Sequence, residues 1–143
     1  MHRLDSDPLQ ALRQVGLENV ATWYPRELSG GMKQRIALAR ALSYKAPIVL
    51  LDEPFASADE ITRIELNRQL LSLWLDSGFT CIMTTHSISE AVMLADRILL
   101  LSANARGVTV DIPVQLCRPR DLEVLASSHY AELIRSVTEG LKQ

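Results

Sequence analysis

The run Ile48-Val49-Leu50-Leu51, which follows Pro47 and leads into Asp52-Glu53-Pro54, constrains the fold of this chain more than any other stretch. Four successive apolar residues without alternation predict a strand buried on both faces, as the strands of parallel sheets are. Phe79–Thr84 and Ile98–Leu101 have the same character. Helical spacing occupies the intervals between these runs. Glu60–Asp76 carries Ile61, Ile64, Leu66, Leu70, Leu71, Leu73, Trp74 and Leu75 and is stopped by Ser77-Gly78, whereas Ile88–Ala95 follows Ser87, with Glu90 three residues on in a capping-box pattern. Strand, helix, strand, helix, strand is the order of an α/β fold built on a parallel sheet. Val108–Ile112 is predicted as a further strand at the edge, and Pro119–Leu125 and Tyr130–Leu141 as closing helices. Ahead of the first strand, Asp7-Pro8 opens a short helix that Gly16 interrupts, and Trp23-Tyr24-Pro25 leads into a turn. Ser29 then caps a helix over Met32–Ser43, apolar on more than one side and expected to be buried.

The chain has 143 residues, enough for one ordinary domain with a real core. A formal net charge of -2 argues against a nucleic-acid binder that works through a strongly basic face. Cys81 and Cys117 have no metal spacing; a disulfide fits the sequence, but without any secretory context reduced thiols are expected. The start, Met1 to Asp7, lacks the apolar stretch of a signal peptide, and no run approaches the ~20 apolar residues that span a bilayer. A soluble protein is expected, with any membrane association made through a partner.

Three short segments carry chemistry. Asp52 stands at the carboxyl end of a predicted buried strand, where ligands bind in open α/β sheets. A carboxylate there can hold Mg²⁺, and Glu53 beside it can orient or deprotonate a water for attack on a phosphate. An acidic strand end that feeds a turn before Pro54 would explain the same letters. Ser29-Gly30-Gly31, ahead of Lys33, Gln34 and Arg35, can present bare backbone N–H groups to an anion, or can be no more than a capped helix with solvated basic residues. Thr84-Thr85-His86-Ser87 puts a histidine just past another strand, on the edge that Asp52 and Glu53 occupy, although a hydrogen-bonded turn histidine fits as well. His2 and His129 have no such setting.

In order and spacing, these segments resemble the ATP-binding subunits of ABC transporters. Leu28-Ser29-Gly30-Gly31-Met32 is similar to the signature motif, with Met32 where glutamine is commoner, and Ile48 to Glu53 to the Walker B strand with its catalytic glutamate. Ala56-Ser57-Ala58-Asp59 resembles the D-loop, and His86 the switch histidine of the H-loop. Tyr24-Pro25-Arg26-Glu27, Asp52-Glu53-Pro54-Phe55, Ser89-Glu90-Ala91-Val92 with Ala95-Asp96-Arg97, Ile112-Pro113-Val114 and Arg118-Pro119-Arg120-Asp121 resemble the nitrate, sulfonate and taurine importers within that family. The resemblance implies ATP and Mg²⁺ as cofactors, with Asp52 as metal ligand, Glu53 acting on the attacking water and His86 on the γ-phosphate. It implies that Ser29, Gly30 and Gly31 bind the nucleotide of a second, opposing ATPase subunit and that Asp59 helps join the two. Transmembrane permease subunits, and indirectly a solute-binding protein, are the implied further partners, with the chain at the cytoplasmic face of the membrane. Two departures stand in the motifs. Ala56-Ser57 and Ala58 replace the usual Ser-Ala and leucine, and Ser87 replaces an aspartate.

A phosphate cradle of the form G-x-x-x-x-G-K-[ST] is missing, since no glycine in the chain is followed by lysine and the three lysines are Lys33, Lys45 and Lys142. The expectation is therefore a partial P-loop NTPase (RecA-like) sheet without its phosphate-loop strand, the C-terminal part of the family domain. Residues 1–43 would be the end of the helical subdomain, and residues 44–143 the C-terminal half of the ATPase core. The missing strand would leave the strand before His86 and the Ile98–Leu101 strand with open edges and uncovered apolar faces. Three functions fit: a truncated ATPase subunit of a solute importer, a non-catalytic partner that donates Ser29-Gly30-Gly31 to an intact subunit, or a non-transport ATPase of the same type.

Overall fold

A computed structural model describes residues 7–101, 107–120 and 122–142. The chain forms two compact units, one up to Thr84 and one from Thr85.

The first unit begins with helix α1 (Pro8–Gln14), whose N-cap Asp7 accepts a hydrogen bond from the Leu9 N–H at 3.0 Å. Two 3-10 turns, at Glu18–Val20 and Pro25–Glu27, lead to helix α2 (Gly30–Ser43), against which α1 packs. Strand β1 (Ile48–Asp52), helix α3 (Glu60–Ser77) and strand β2 (Thr80–Thr84) form a βαβ unit. β1 and β2 pair in parallel, from Ile48 opposite Thr80 to Asp52 opposite Thr84. α3 buries one face, where Leu66, Leu70 and Leu73 recur at helical spacing and are buried with Asn67 and Leu71, whereas Ile61, Ile64 and Leu75 are exposed. Gly78 ends it with φ of 63°, a left-handed conformation that costs glycine little.

The second unit carries helix α4 (Ile88–Leu94), strand β3 (Arg97–Leu101), strand β4 (Val108–Pro113), helix α5 (Leu122–Leu125) and helix α6 (Ser128–Gly140). Val92, Ile98, Leu100, Val114, Leu133 and Val137 make its core. α6 approaches β3 so closely that a Cβ on Gly140 would lie 2.5 Å from Leu100 Cδ1. Ser127 caps α6 by accepting from the Tyr130 N–H at 3.2 Å.

β3 does not join the parallel pair, in keeping with the open edges expected where the phosphate-loop strand is missing; it pairs antiparallel with β4 in a separate two-stranded sheet. The two strands are neighbours in sequence, so closing their short loop costs little chain entropy. Three other expectations need correction. The apolar strands are buried on one face only. Val49 is 6% exposed whereas Leu50 is 72% exposed, and Ile98 and Leu100 are buried whereas Leu99 and Leu101 are exposed. Successive side chains point to opposite faces, and each small sheet has only one of its faces covered. In α2, burial is confined to Leu38 and Ala39 among the residues whose side chains are described. The helix expected from Pro119 starts at Leu122, because Pro119 and Arg120 leave the helical path and Arg120 turns inward. Met1 to Ser6 and Asp121 lie outside the described residues. Both cysteines are free thiols, and among the described residues no helix is long and apolar enough to cross a membrane.

Candidate functional site

The polar end of the β1–β2 pair is organised by one hydroxyl. Thr84 closes β2 opposite Asp52, and its Oγ1 donates to Asp52 Oδ1 at 2.5 Å. The same Oγ1 accepts from the Glu53 N–H at 3.1 Å, and the Thr84 carbonyl accepts that N–H at 3.1 Å as well. Glu53 turns the chain out of β1 with φ of 42°, a left-handed conformation that costs an L-residue about 1–2 kcal/mol. Both carboxylates are exposed. Phe55, 1% exposed, anchors the turn that follows.

That turn ends at Asp59, the N-cap of α3. Its carboxylate accepts from the Thr62 N–H at 3.0 Å and from the Thr62 hydroxyl at 2.7 Å, and these bonds hold its pKa below the usual carboxylate value. Arg63 ties the turn to the helix through the Ala58 carbonyl at 2.8 Å.

The Ser29 turn is built as expected. Ser29 Oγ accepts from the Met32 N–H at 3.2 Å, and its carbonyl accepts from the Lys33 N–H at 3.0 Å. Gly30 and Gly31 open α2, in the first turn where backbone N–H groups have no carbonyl four residues back. A Cβ on Gly31 would lie 3.1 Å from Thr62 Cγ2, and Gln34 Nε2 donates to Ser57 Oγ at 2.7 Å. The start of α2 therefore rests on the start of α3 and on the turn before it. Within the first unit, Gly31 and Asp59 share Thr62 as a neighbour, and Asp52 and Glu53 share Thr84.

His86 belongs to the second unit, where it is exposed next to Ser87, the N-cap of α4. Ser87 Oγ accepts from the Glu90 N–H at 3.4 Å, but the Ser87 N–H donates to Thr85 Oγ1 at 3.0 Å instead of to the Glu90 carboxylate. Only one arm of the capping box forms, and Glu90 is buried. At the other end of α4, Arg120 donates to the carbonyls of Val92 at 3.2 Å, Met93 at 2.9 Å and Ala95 at 2.7 Å. Arg118 adds the Leu94 carbonyl at 2.8 Å and pairs with Asp96 at 2.7 Å. Burial, with help from neighbouring Arg118, pulls the Arg120 pKa down; Asp96 opposes that shift. The sequence showed these arginines only as part of a family-like tail.

Thr84 and Arg120 are the two polar organisers that sequence reasoning missed. The signal for Thr84 was present as a hydroxyl residue at the end of a strand that pairs with β1. Using it required the pairing register. Among the described residues, no three His, Cys, Asp or Glu side chains gather into a metal cage. The Thr84 hydroxyl engages Asp52 through Oδ1, so the carboxylate can offer Oδ2, a hard oxygen donor. That suits Mg²⁺ held by one carboxylate together with waters and phosphate oxygens.

A family model, "ABC transporter", matches residues 3–56. Over 136 residues, 94% of the chain, the sequence is 48% identical to the aliphatic sulfonates import ATP-binding protein SsuB of Escherichia coli O6:H1, of which it covers 51%. The chain thus spans about half the length of the curated relatives it matches. Among solved structures, the dimeric bacterial ABC transporter cassette MJ0796 aligns with a TM-score of 0.64 at 33% identity, over 76% of this chain and 46% of that one. A dimeric, post-hydrolysis form of MJ0796 bound to ADP and Pi aligns with a TM-score of 0.63 at 33% identity, over 75% and 45%. The order of the signature-like turn, the acidic strand end and the histidine after β2 thus coincides with similarity in sequence and in fold, and the chain is a close homologue of the ATP-binding proteins of ABC transporters.

Proposed function

We propose that the chain functions within the ATP-binding subunit of an ABC importer, where ATP binding and hydrolysis drive solute uptake. Its relatives' name, aliphatic sulfonates import, points to organic sulfonates as the solute class. One observation carries the reading. Asp52 and Glu53 end a parallel strand at its carboxyl edge, with Glu53 in a left-handed conformation of the kind that collects at functional sites. In this reading Asp52 is the protein ligand of Mg²⁺, which would neutralise charge on the phosphates. Glu53 orients or deprotonates the attacking water, and His86 contacts the γ-phosphate. Ser29, Gly30 and Gly31 turn toward the nucleotide of a second ATPase subunit, and Asp59 lies at the contact between the two. Residues 1–43 belong to the helical subdomain and residues 44–143 to the ATPase core. Permease subunits dock on the assembled pair at the cytoplasmic face of the membrane, and a solute-binding protein acts through them.

A second reading is supported by the Ser29 turn. It is capped and braced on α3 inside the first unit, and it needs no phosphate cradle of its own. The chain could therefore donate it to an intact subunit without catalysing anything itself. Without a Gly-Lys cradle in its sequence, the 143-residue chain is expected to hydrolyse ATP negligibly by itself. A non-transport role fits the sulfonate-importer similarity poorly.

ATP-dependent capture of the chain by a catalytically intact homologous subunit tests the donated turn. A Cβ on Gly30 meets nothing within 4 Å, and an acidic side chain is tolerated at a helix N-terminus. Gly30→Asp is therefore expected to fold normally yet lose capture, because its carboxylate repels the phosphate. Capture that ignores ATP or survives Gly30→Asp rules the donated turn out. ATP hydrolysis by the purified chain that Glu53→Gln abolishes rules out an inactive own site.

A further inference from the structure

Thr84 has no part in the roles assigned so far, although it touches both carboxylate residues. We propose that Thr84 is the positioning residue of the acidic pair: its single hydroxyl fixes the Asp52 carboxylate and the left-handed Glu53 backbone relative to each other. The inference rests on the reading of Asp52 as metal ligand and Glu53 as the residue that handles water. A hydroxyl has one proton to give and lone pairs to accept with. Here the proton goes to Asp52 Oδ1 at 2.5 Å, and a lone pair takes the Glu53 N–H at 3.1 Å. The pairing register places the two strand ends side by side, so no loop has to fold over to make the contact. An exposed aspartate would otherwise move among its staggered rotamers, and the bond to Oδ1 selects one while Oδ2 stays available to a cation. On the backbone side, the Glu53 N–H is received by both the carbonyl and the hydroxyl of Thr84. These bonds oppose the relaxation of φ from 42° toward an ordinary strand value. Valine has the same shape and suits a strand equally well, yet it can make neither side-chain bond. Serine can make both.

The test uses Thr84→Val and Thr84→Ser in the full 143-residue chain, with amide NMR as the readout. The Glu53 amide is expected to exchange with solvent about tenfold faster in Thr84→Val than in the wild type, and at the wild-type rate in Thr84→Ser. With Mn²⁺ alone as the probe, paramagnetic broadening at the Asp52 and Glu53 amides is expected to need about tenfold more metal in Thr84→Val, with serine again restoring it. Equal exchange and equal metal response in Thr84→Val and wild type overturn the proposal. So does a serine variant that behaves like valine. If Mn²⁺ leaves Asp52 unaffected in the wild type, the metal-ligand reading fails, and the exchange comparison still decides the part of Thr84. Thr84→Ala gives the same contrast if valine disturbs the strand.

Discussion

The carboxyl end of β1 and the C-terminal end of α4 both gather polar groups, but one is left open and the other is closed. At α4, the side chains of Arg118 and Arg120 take up the carbonyls of Val92, Met93, Leu94 and Ala95, and Asp96 pairs with both guanidiniums. Arg120 is 3% exposed, and its Nη1 is directed at the carbonyls that a helix end leaves unpaired, while Nη2 faces Asp96. At β1, one threonine hydroxyl serves two residues, both carboxylates face solvent, and the backbone at Glu53 is strained. The first arrangement is what a fold does to remove polar groups from play. The second leaves the Asp52 Oδ2 and exposed negative charge at the surface, which is the property a binding site needs.

If the α4 end is structural, its disruption should dominate stability. Arg120→Met is expected to destabilise the second unit by about 3 kcal/mol, because several buried carbonyls lose their donor. Faster amide exchange throughout α4 and α6 is the measurement, and a change under about 0.5 kcal/mol would remove the contrast between the two ends. At the open end the sign should reverse. Glu53→Gly is expected to stabilise the first unit by about 1 kcal/mol, since glycine accepts positive φ without the cost paid by glutamate. Urea unfolding followed by Trp23 and Trp74 fluorescence checks it, and a loss of stability would mean that the left-handed turn is not strained.

The smallest effect concerns pH. Asp59 titrates below its ordinary value of 3.8 because it accepts the Thr62 bonds. The unfolded chain therefore takes up this proton at a higher pH than the folded one. The stabilisation is fully present above the ordinary carboxylate pKa and is lost as pH falls through the lower folded value. Thr62→Val is expected to reduce this acid sensitivity of α3, read from its helical signal between about pH 5 and pH 2. The residue-62 N–H bond survives this substitution, so an unchanged acid profile would show that the Thr62 hydroxyl adds nothing measurable to the cap. Asp111, held low by the Arg97 guanidinium, follows the same sign in the second unit.

The segments were legible because their signals are local. Ser29 caps α2, Gly78 ends α3 in a left-handed conformation, and the apolar runs at Ile48, Phe79 and Ile98 became strands. Pairing was less legible. The run at Ile98 reads like the other two, yet β3 meets β4 beside it in the chain and no parallel neighbour among the described residues. Burial was misread for a related reason: Leu50 and Val49 are equally apolar letters, but only one of them faces a covering layer. For the candidate site, Ser29, Gly30, Gly31, Asp52, Glu53, Asp59 and His86 stood out as residue types at telling positions, while Thr84 and Arg120 did not. Their partners lie 31 to 32 and 24 to 28 residues away.

By itself, the sequence determined the order of strands and helices, the capped Ser29 turn, and the placement of two carboxylates where a strand ends. Periodicity, capping side chains and helix-ending glycine act over a few residues and can be read in one dimension. Only the tertiary structure decided which hydroxyl grips those carboxylates, which guanidinium closes α4, and which face of each apolar strand is covered. Those outcomes depend on register and on layers meeting across distant parts of the chain.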